Sequence, residues 1–265
     1  MFKYKLGIIG AGNMSAAITK GILNGKVLKP GDVIISDIDT VKLEALKQVG
    51  FIVTADNAEL AEFSENILFA IKPQSFADAA EYIKSKLKAS FVISIMAGIN
   101  TSKLIEAFGN VKLCRIMPNT PCMIGKGISA LTFVNCNAAD KAFVFGIFDK
   151  LGEVIELSEK KFDAVTAVSG SGPAYVYTFL DAVIRGGMDK GLSLDEAKLL
   201  AVSVFKGAAE LAAVSDKPLK DLIKNVTSKG GTTEAALKVF ADGNLSKTLY
   251  DGVVAAADRS AELGK

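Results

Sequence analysis

GIIGAGNMS, residues 7–15, decides how this 265-residue chain is read. A short apolar run ends in Gly10-Ala11-Gly12, and a helical pattern begins directly after it, over 13–24. Strand, tight glycine turn and helix, in that order, are what a dinucleotide-binding βαβ unit requires. Gly10 suits the turn, and Gly12 lets the backbone approach a pyrophosphate at the positive end of a helix. Ser15 stands where the third glycine of the pattern falls and is small enough for close helix–strand packing. The pattern alone is weak; its place between a first strand and a first helix gives it weight.

Outward from that stretch, strand-like runs recur at 33–37, 67–71, 91–95 and 112–116, each nearly all apolar, as in a sheet covered on both faces. Helical patterns lie between them at 40–48, 75–87 and 101–108, which predicts a parallel, doubly wound sheet. GISALTF (127–133), a helix over 138–151 and EVIEL (153–157) extend it. Beyond residue 158 the strand signals stop, and helices are expected over 161–167, 173–189, 193–214, 218–226, 232–241 and 245–263. The expected fold is α/β: an N-terminal Rossmann-type doubly wound sheet over 1–158, then an all-α domain over 159–265.

Half the residues are hydrophobic, 23% are charged and the net charge is +2, which fits a globular protein and gives no sign of nucleic-acid binding. The three cysteines lack metal-type spacing, so neither a metal site nor a disulfide framework is expected, and a reducing cytoplasm is. The N-terminus reads as a strand rather than a secretion signal, and no apolar run suits a membrane span. There is no histidine, so any catalysis uses another acid or a substrate that needs none.

Asp37 closes the second strand, where an acid bonds the ribose 2′-hydroxyl and disfavours a 2′-phosphate, leaning toward NADH. Ser36 beside it leaves NADPH open. The loops AIKPQ (70–74), SIMAG (94–98) and RIMPNTP (115–121) end three strands and are expected to line one crevice, with Ala97, Gly98 and Asn119 among its residues. In the helical part, SKGGTTEAAL (228–237) interrupts the pattern. Gly230 and Gly231 expose N–H groups before a helix, an arrangement suited to a carboxylate. Thr232 is expected as N-cap and Thr233 as the hydroxyl that meets the substrate.

Together, GIIGAGNM, AIKP, SIMAG, MPNTP, SGSGPAY (169–175) and KGGTTEAAL (229–237) resemble the Δ1-pyrroline-5-carboxylate reductases, over about residues 5–260. The resemblance implies a Rossmann domain holding NADPH or NADH on Gly10, Ala11, Gly12, Asn13, Met14, Ser36, Asn57, Ala70, Ile71, Lys72 and Pro73. It implies substrate contacts at Gly230, Gly231 and Thr233, and a C-terminal domain that dimerises, in assemblies up to a decamer. The implied reaction is reduction of 1-pyrroline-5-carboxylate to L-proline, the last step of proline biosynthesis. The chemistry agrees: a cyclic imine can be protonated in solution, so the bound iminium needs only hydride and orientation, which suits a chain without histidine. Reduction of another cyclic imine, a small 3-hydroxyacid dehydrogenase and a dinucleotide-binding sensor are the alternatives.

Overall fold

A computed structural model describes residues 2–88 and 91–264. Two compact units divide the chain: Met1–Ser171 with Ala256–Lys265, and Gly172–Ala255. Strands stop near residue 159 as expected, yet the first unit runs on to Ser171. Phe162 is buried with Met117 and Ala130, and Arg115 pairs with Glu159 while lying 4.7 Å from the Phe162 ring.

The first unit is built on eight strands: β1 (Tyr4–Ile9), β2 (Val33–Ser36), β3 (Ile52–Thr54), β4 (Ser64–Phe69), β5 (Phe91–Ser94), β6 (Lys112–Met117), β7 (Gly127–Val134) and β8 (Gly152–Glu156). Their order is β3-β2-β1-β4-β5-β6-β7-β8, so the chain moves outward from β1 in one direction, then crosses back and builds in the other. The first six strands are parallel, and β7 runs antiparallel to β6. A wholly parallel sheet is therefore corrected. Only residues 118–126 separate β6 from β7, and a parallel crossover needs a dozen or more residues. β8 follows a helix and pairs parallel with β7.

Alternation along each strand feeds two cores. Leu6, Ile8, Val33, Ile35, Leu68, Phe91, Ile93, Cys114 and Ile116 face one side, under α1 (Asn13–Gly25) and, after α2 (Thr40–Gln48), α3 (Asn57–Phe63), α4 (Phe76–Lys84) and α5 (Thr101–Phe108), the later helix α6 (Ala138–Phe148). Ile9, Ile34, Ile67, Phe69, Val92 and Leu113 face the other, with Leu60 of α3, Phe76 and Ile83 of α4 and Leu104 of α5. Residues one apart point to opposite faces, so these near-continuous apolar runs bury both sides. At Gly7 the sheet leaves room for α3: a Cβ there would stand 2.5 Å from Leu60 Cδ2.

β3 and α3 went unread in the sequence. The strand is three residues long at the sheet edge, with Ile52 exposed, so its apolar signal is slight. After β8, the short helix α7 (Phe162–Val165) passes into a π-helical turn at Thr166–Gly170, where the helix expected over 161–167 was to end. A Cβ at Gly170 would stand 2.4 Å from Met117 Cε.

The second unit is helical: α8 (Gly172–Asp189), α9 (Leu194–Val214), α10 (Leu219–Asn225), α11 (Thr232–Asp242) and the first part of α12 (Leu245–Leu263). Ser193 and Glu196 form a capping box that starts α9. Phe179 of α8 and Phe205 of α9 lie 6.5 Å apart between ring centroids. The final residues of α12 belong to the first unit, where Ser260 Oγ donates to Asp163 and Asn100 Nδ2 donates to the Gly264 carbonyl.

Candidate active site

The glycine turn after β1 has the geometry its sequence requires. Gly10 has φ +103°, and a Cβ on it would stand 2.6 Å from the Ala70 carbonyl oxygen. Its N–H donates to Ser36 O at 2.7 Å, and Ala70 N donates to Ile9 O at 2.8 Å, so the ends of β1, β2 and β4 are tied together. Gly12 is different. Its backbone is extended at φ −77° and ψ −175°, it is the N-cap of α1, and no atom lies within 4 Å of a Cβ built there. Asp39, Asp56, Asn100 and Asn137 cap other helices of this unit, whereas no side chain caps α1. The open space beside Gly12 and the free N–H groups of the first turn fit a dinucleotide pyrophosphate.

A cavity of about 600 Å³ opens at this turn. Of the residues expected at the cofactor, Gly10, Gly12, Ser36, Asp37, Asn57, Ala70, Ile71 and Lys72 line it. Ser36 Oγ donates to Asn57 Oδ1 at 2.6 Å, which joins the end of β2 to the start of α3. Ala11 lies in the glycine turn, Asn13 and Met14 open α1, and Pro73 begins the short 3₁₀ turn after Lys72. Ala97, Gly98 and Asn119 are not brought into the lining. Gly98, at φ +76°, approaches Leu263, with 3.4 Å between a built Cβ and the leucine Cβ. Asn119 Oδ1 accepts from Ile128 N at 3.0 Å and so holds the reversal between β6 and β7.

Asp37 is already engaged. Its Oδ2 accepts from Ala11 N at 2.6 Å and its Oδ1 from Asp39 N at 2.9 Å, so one carboxylate braces the glycine turn against the β2–α2 turn. The cavity wall also includes Ile38, Asp39, Lys42, Ala55, Ser75 and Ala79, which sequence reasoning missed. Asp39 caps α2, and the Lys42 N–H and side chain hold its carboxyl below the usual carboxylate range. Lys42 was within reach of the sequence, one helical turn past the N-cap residue Asp39. Ala55 was not, because it follows the unread β3.

In the second unit, Gly230, Gly231, Thr232 and Thr233 form the turn into α11. Gly230 has φ +73°, a region that favours glycine, and a Cβ on Gly231 would stand 2.4 Å from Ser228 Oγ. The N-cap is Gly231, with no side-chain cap, and Thr232 is the first helical residue. Thr232 as N-cap is therefore corrected: the cap position is extended at φ −84° and ψ 170°, and glycine is the residue that fits against Ser228 there. Glu234 Oε2 accepts from Gly230 N at 2.7 Å, so that N–H is occupied within the turn. A Glu three places after the N-cap is the signal that could have shown this. Gly231 N donates to Ser228 O at 3.0 Å, no side chain caps the first turn of α11, and Thr233 is half-buried.

The comparisons with known proteins agree with one another. A family described as pyrroline-5-carboxylate reductase dimerisation matches residues 159–263, and one described as NADP oxidoreductase, coenzyme F420-dependent, matches 5–98. The pyrroline-5-carboxylate reductase of Pisum sativum is 36% identical over 98% of this chain and 96% of its own length. That of Synechocystis is 35% identical over 98% of both. The crystal structure of the Plasmodium falciparum pyrroline carboxylate reductase, solved with NADP bound, superposes with a TM-score of 0.91 at 33% identity and covers 100% of both chains. Full-length identity, matching folds in both parts of the chain and a glycine turn open at Gly12 lead to one assignment: the chain belongs to the pyrroline-5-carboxylate reductase family.

Proposed function

We propose that the chain reduces 1-pyrroline-5-carboxylate to L-proline with NADPH or NADH, using Thr233 and the turn before α11 for the substrate. The observation that carries the cofactor half is the uncapped start of α1 beside Gly12, open to a cavity of about 600 Å³. When bound, the nicotinamide cofactor supplies hydride for the C=N carbon. Gly12, Asn13 and Met14 hold the pyrophosphate through backbone N–H groups, while Gly10 and Ala11, whose own N–H groups donate to Ser36 and Asp37, shape the turn. Ser36 and Asn57 hold the ribose end, and Ala70 to Pro73 wall the cofactor. Ala97, Gly98 and Asn119 remain proposed contacts on the neighbouring loops.

For the substrate, the free N–H groups at the start of α11 receive the carboxylate, with the helix partial charge aiding them. The Thr233 hydroxyl accepts from the iminium N–H and fixes the ring, while Gly230 and Gly231 shape the turn. With the iminium protonated in solution, no histidine is needed, and the chain has none. Residues 1–158 act as the dinucleotide-binding domain and 159–265 as the substrate-binding and dimerisation domain. The C-terminal helices form a homodimer, with a decamer as the larger assembly, in the cytoplasm. Supporting this, Ala197 and Ala201 are the only buried residues among the described residues of Gly172–Ala255. Leu199 and Val204 are 70% and 64% exposed, more apolar surface than a helical unit leaves open unless it is an interface. No helix among the described residues is long and apolar enough to cross a membrane.

The test is to mix the protein with 1-pyrroline-5-carboxylate and either reduced cofactor, and to follow loss of the reduced-nicotinamide absorbance. Oxidation with at least one cofactor, and L-proline as product, is expected. No oxidation with either overturns the proposal, and turnover of a 3-keto acid instead favours a hydroxyacid dehydrogenase.

A further inference from the structure

We propose that Lys42 reads the adenosine 2′-phosphate, and that Asp37 braces the glycine turn rather than excluding that phosphate. This rests on the cofactor reading above and names the residue that sets its specificity. An acid at the end of the second strand ordinarily turns its carboxylate toward the ribose hydroxyls and away from a 2′-phosphate. Here both oxygens already serve backbone groups, Ala11 N at 2.6 Å and Asp39 N at 2.9 Å. Part of the negative charge of Asp37 is thereby spent on the turn that holds the pyrophosphate.

The positive groups lining the cavity are Lys42 and Lys72, and they belong to different elements. Lys72 lies in the turn after β4, whereas Lys42 sits in the first turn of α2, shortly after β2 and the Asp37 that follows it. The Lys42 ammonium is 3.2 Å from Asp39 Oδ2, and both side chains are well exposed. Exposed ion pairs of this kind contribute little, so the lysine can turn to a better partner at small cost. Asp39 does not depend on it, because Val41 N at 3.0 Å and Lys42 N at 3.3 Å also donate to that carboxylate. A 2′-phosphate brings nearly two negative charges and three acceptor oxygens, and a mobile ammonium at the cavity wall suits it. Ile38, between the two acids, is 99% exposed and offers the phosphate nothing.

The experiment is calorimetric titration of adenosine 2′,5′-bisphosphate and of 5′-ADP into the wild-type chain, Lys42→Met, Lys42→Arg and Asp37→Asn. Lys42→Met should weaken the bisphosphate roughly tenfold, the loss of one charge-assisted contact, and leave 5′-ADP unchanged. Lys42→Arg should keep most of the bisphosphate affinity. Asp37→Asn should weaken both nucleotides by similar factors, since the shared glycine turn loses its brace. Equal effects of Lys42→Met on the two nucleotides, or none, would overturn the proposal while leaving the cofactor site intact. So would selective tightening of the bisphosphate by Asp37→Asn, which makes Asp37 the discriminator. Failure of the wild-type chain to bind either nucleotide overturns the cofactor reading and this inference with it.

Discussion

Gly10 and Thr233 carry the most specific expectations at the residue scale, and the reasons differ. Gly10 is confined by backbone: at φ +103° a side chain costs about 1–3 kcal/mol, and its Cβ would press on the Ala70 carbonyl. Gly10→Ala should therefore lower the melting temperature and weaken NADPH binding at least tenfold, measured by thermal scans and by fluorescence titration. Thr233 is not confined in this way, since a helix accepts either threonine or alanine at its second position. Thr233→Ala should leave the melting temperature and cofactor affinity near wild type and reduce kcat/KM about tenfold to a hundredfold, the scale of one hydrogen bond to a charged ligand. An unchanged kcat/KM would remove Thr233 from the mechanism. Both positions were legible as motif residues. What the motif could not show is that Glu234 already occupies the Gly230 N–H, because that bond depends on how the turn closes.

Among elements, β6, β7 and the segment around Phe162 form one mechanical piece. Arg115 on β6 is buried, paired with Glu159 and stacked over Phe162, while Met117 and Ala130 from the two strands enclose that ring. Phe162→Ala should cost about 3–5 kcal/mol, read as a lower denaturant midpoint, because a fully buried aromatic leaves a cavity that its neighbours cannot fill. A loss under about 1 kcal/mol would mean the segment is not held by the first unit's core. The helix expected over 161–167 is α-helical over Phe162–Val165 and π-helical over Thr166–Gly170, while the two strands here were read correctly from period and propensity. Their direction was not: the reversal between β6 and β7 follows from a connection too short for a crossover, a length argument that was available. The edge strand β3 escaped because three residues with one exposed isoleucine carry almost no pattern.

For the whole molecule, the helical unit's exposed faces predict its assembly. If α9 packs against a second copy, Val204→Asp should lower the mass measured by light scattering to that of a monomer, and the wild-type melting temperature should rise with protein concentration. A variant that keeps the wild-type mass would place the interface elsewhere. The sequence by itself determined the order of elements apart from β3 and α3, the two-sided burial of the central strands and the place of the glycine turn. These depend on local period, on chain length between elements and on the one residue type that tolerates positive φ. Tertiary structure alone decided which further residues join the cavity, Ile38, Asp39, Lys42, Ala55, Ser75 and Ala79, and what each carboxylate does there. Asp37 and Ala11 are far apart in sequence and meet only because β1 and β2 lie side by side in the sheet. The same sheet sets Lys42 in the wall of a cavity that is also lined by Ala70, Ile71 and Lys72 after β4, because neighbours across a sheet are chosen by strand order, which no local pattern encodes.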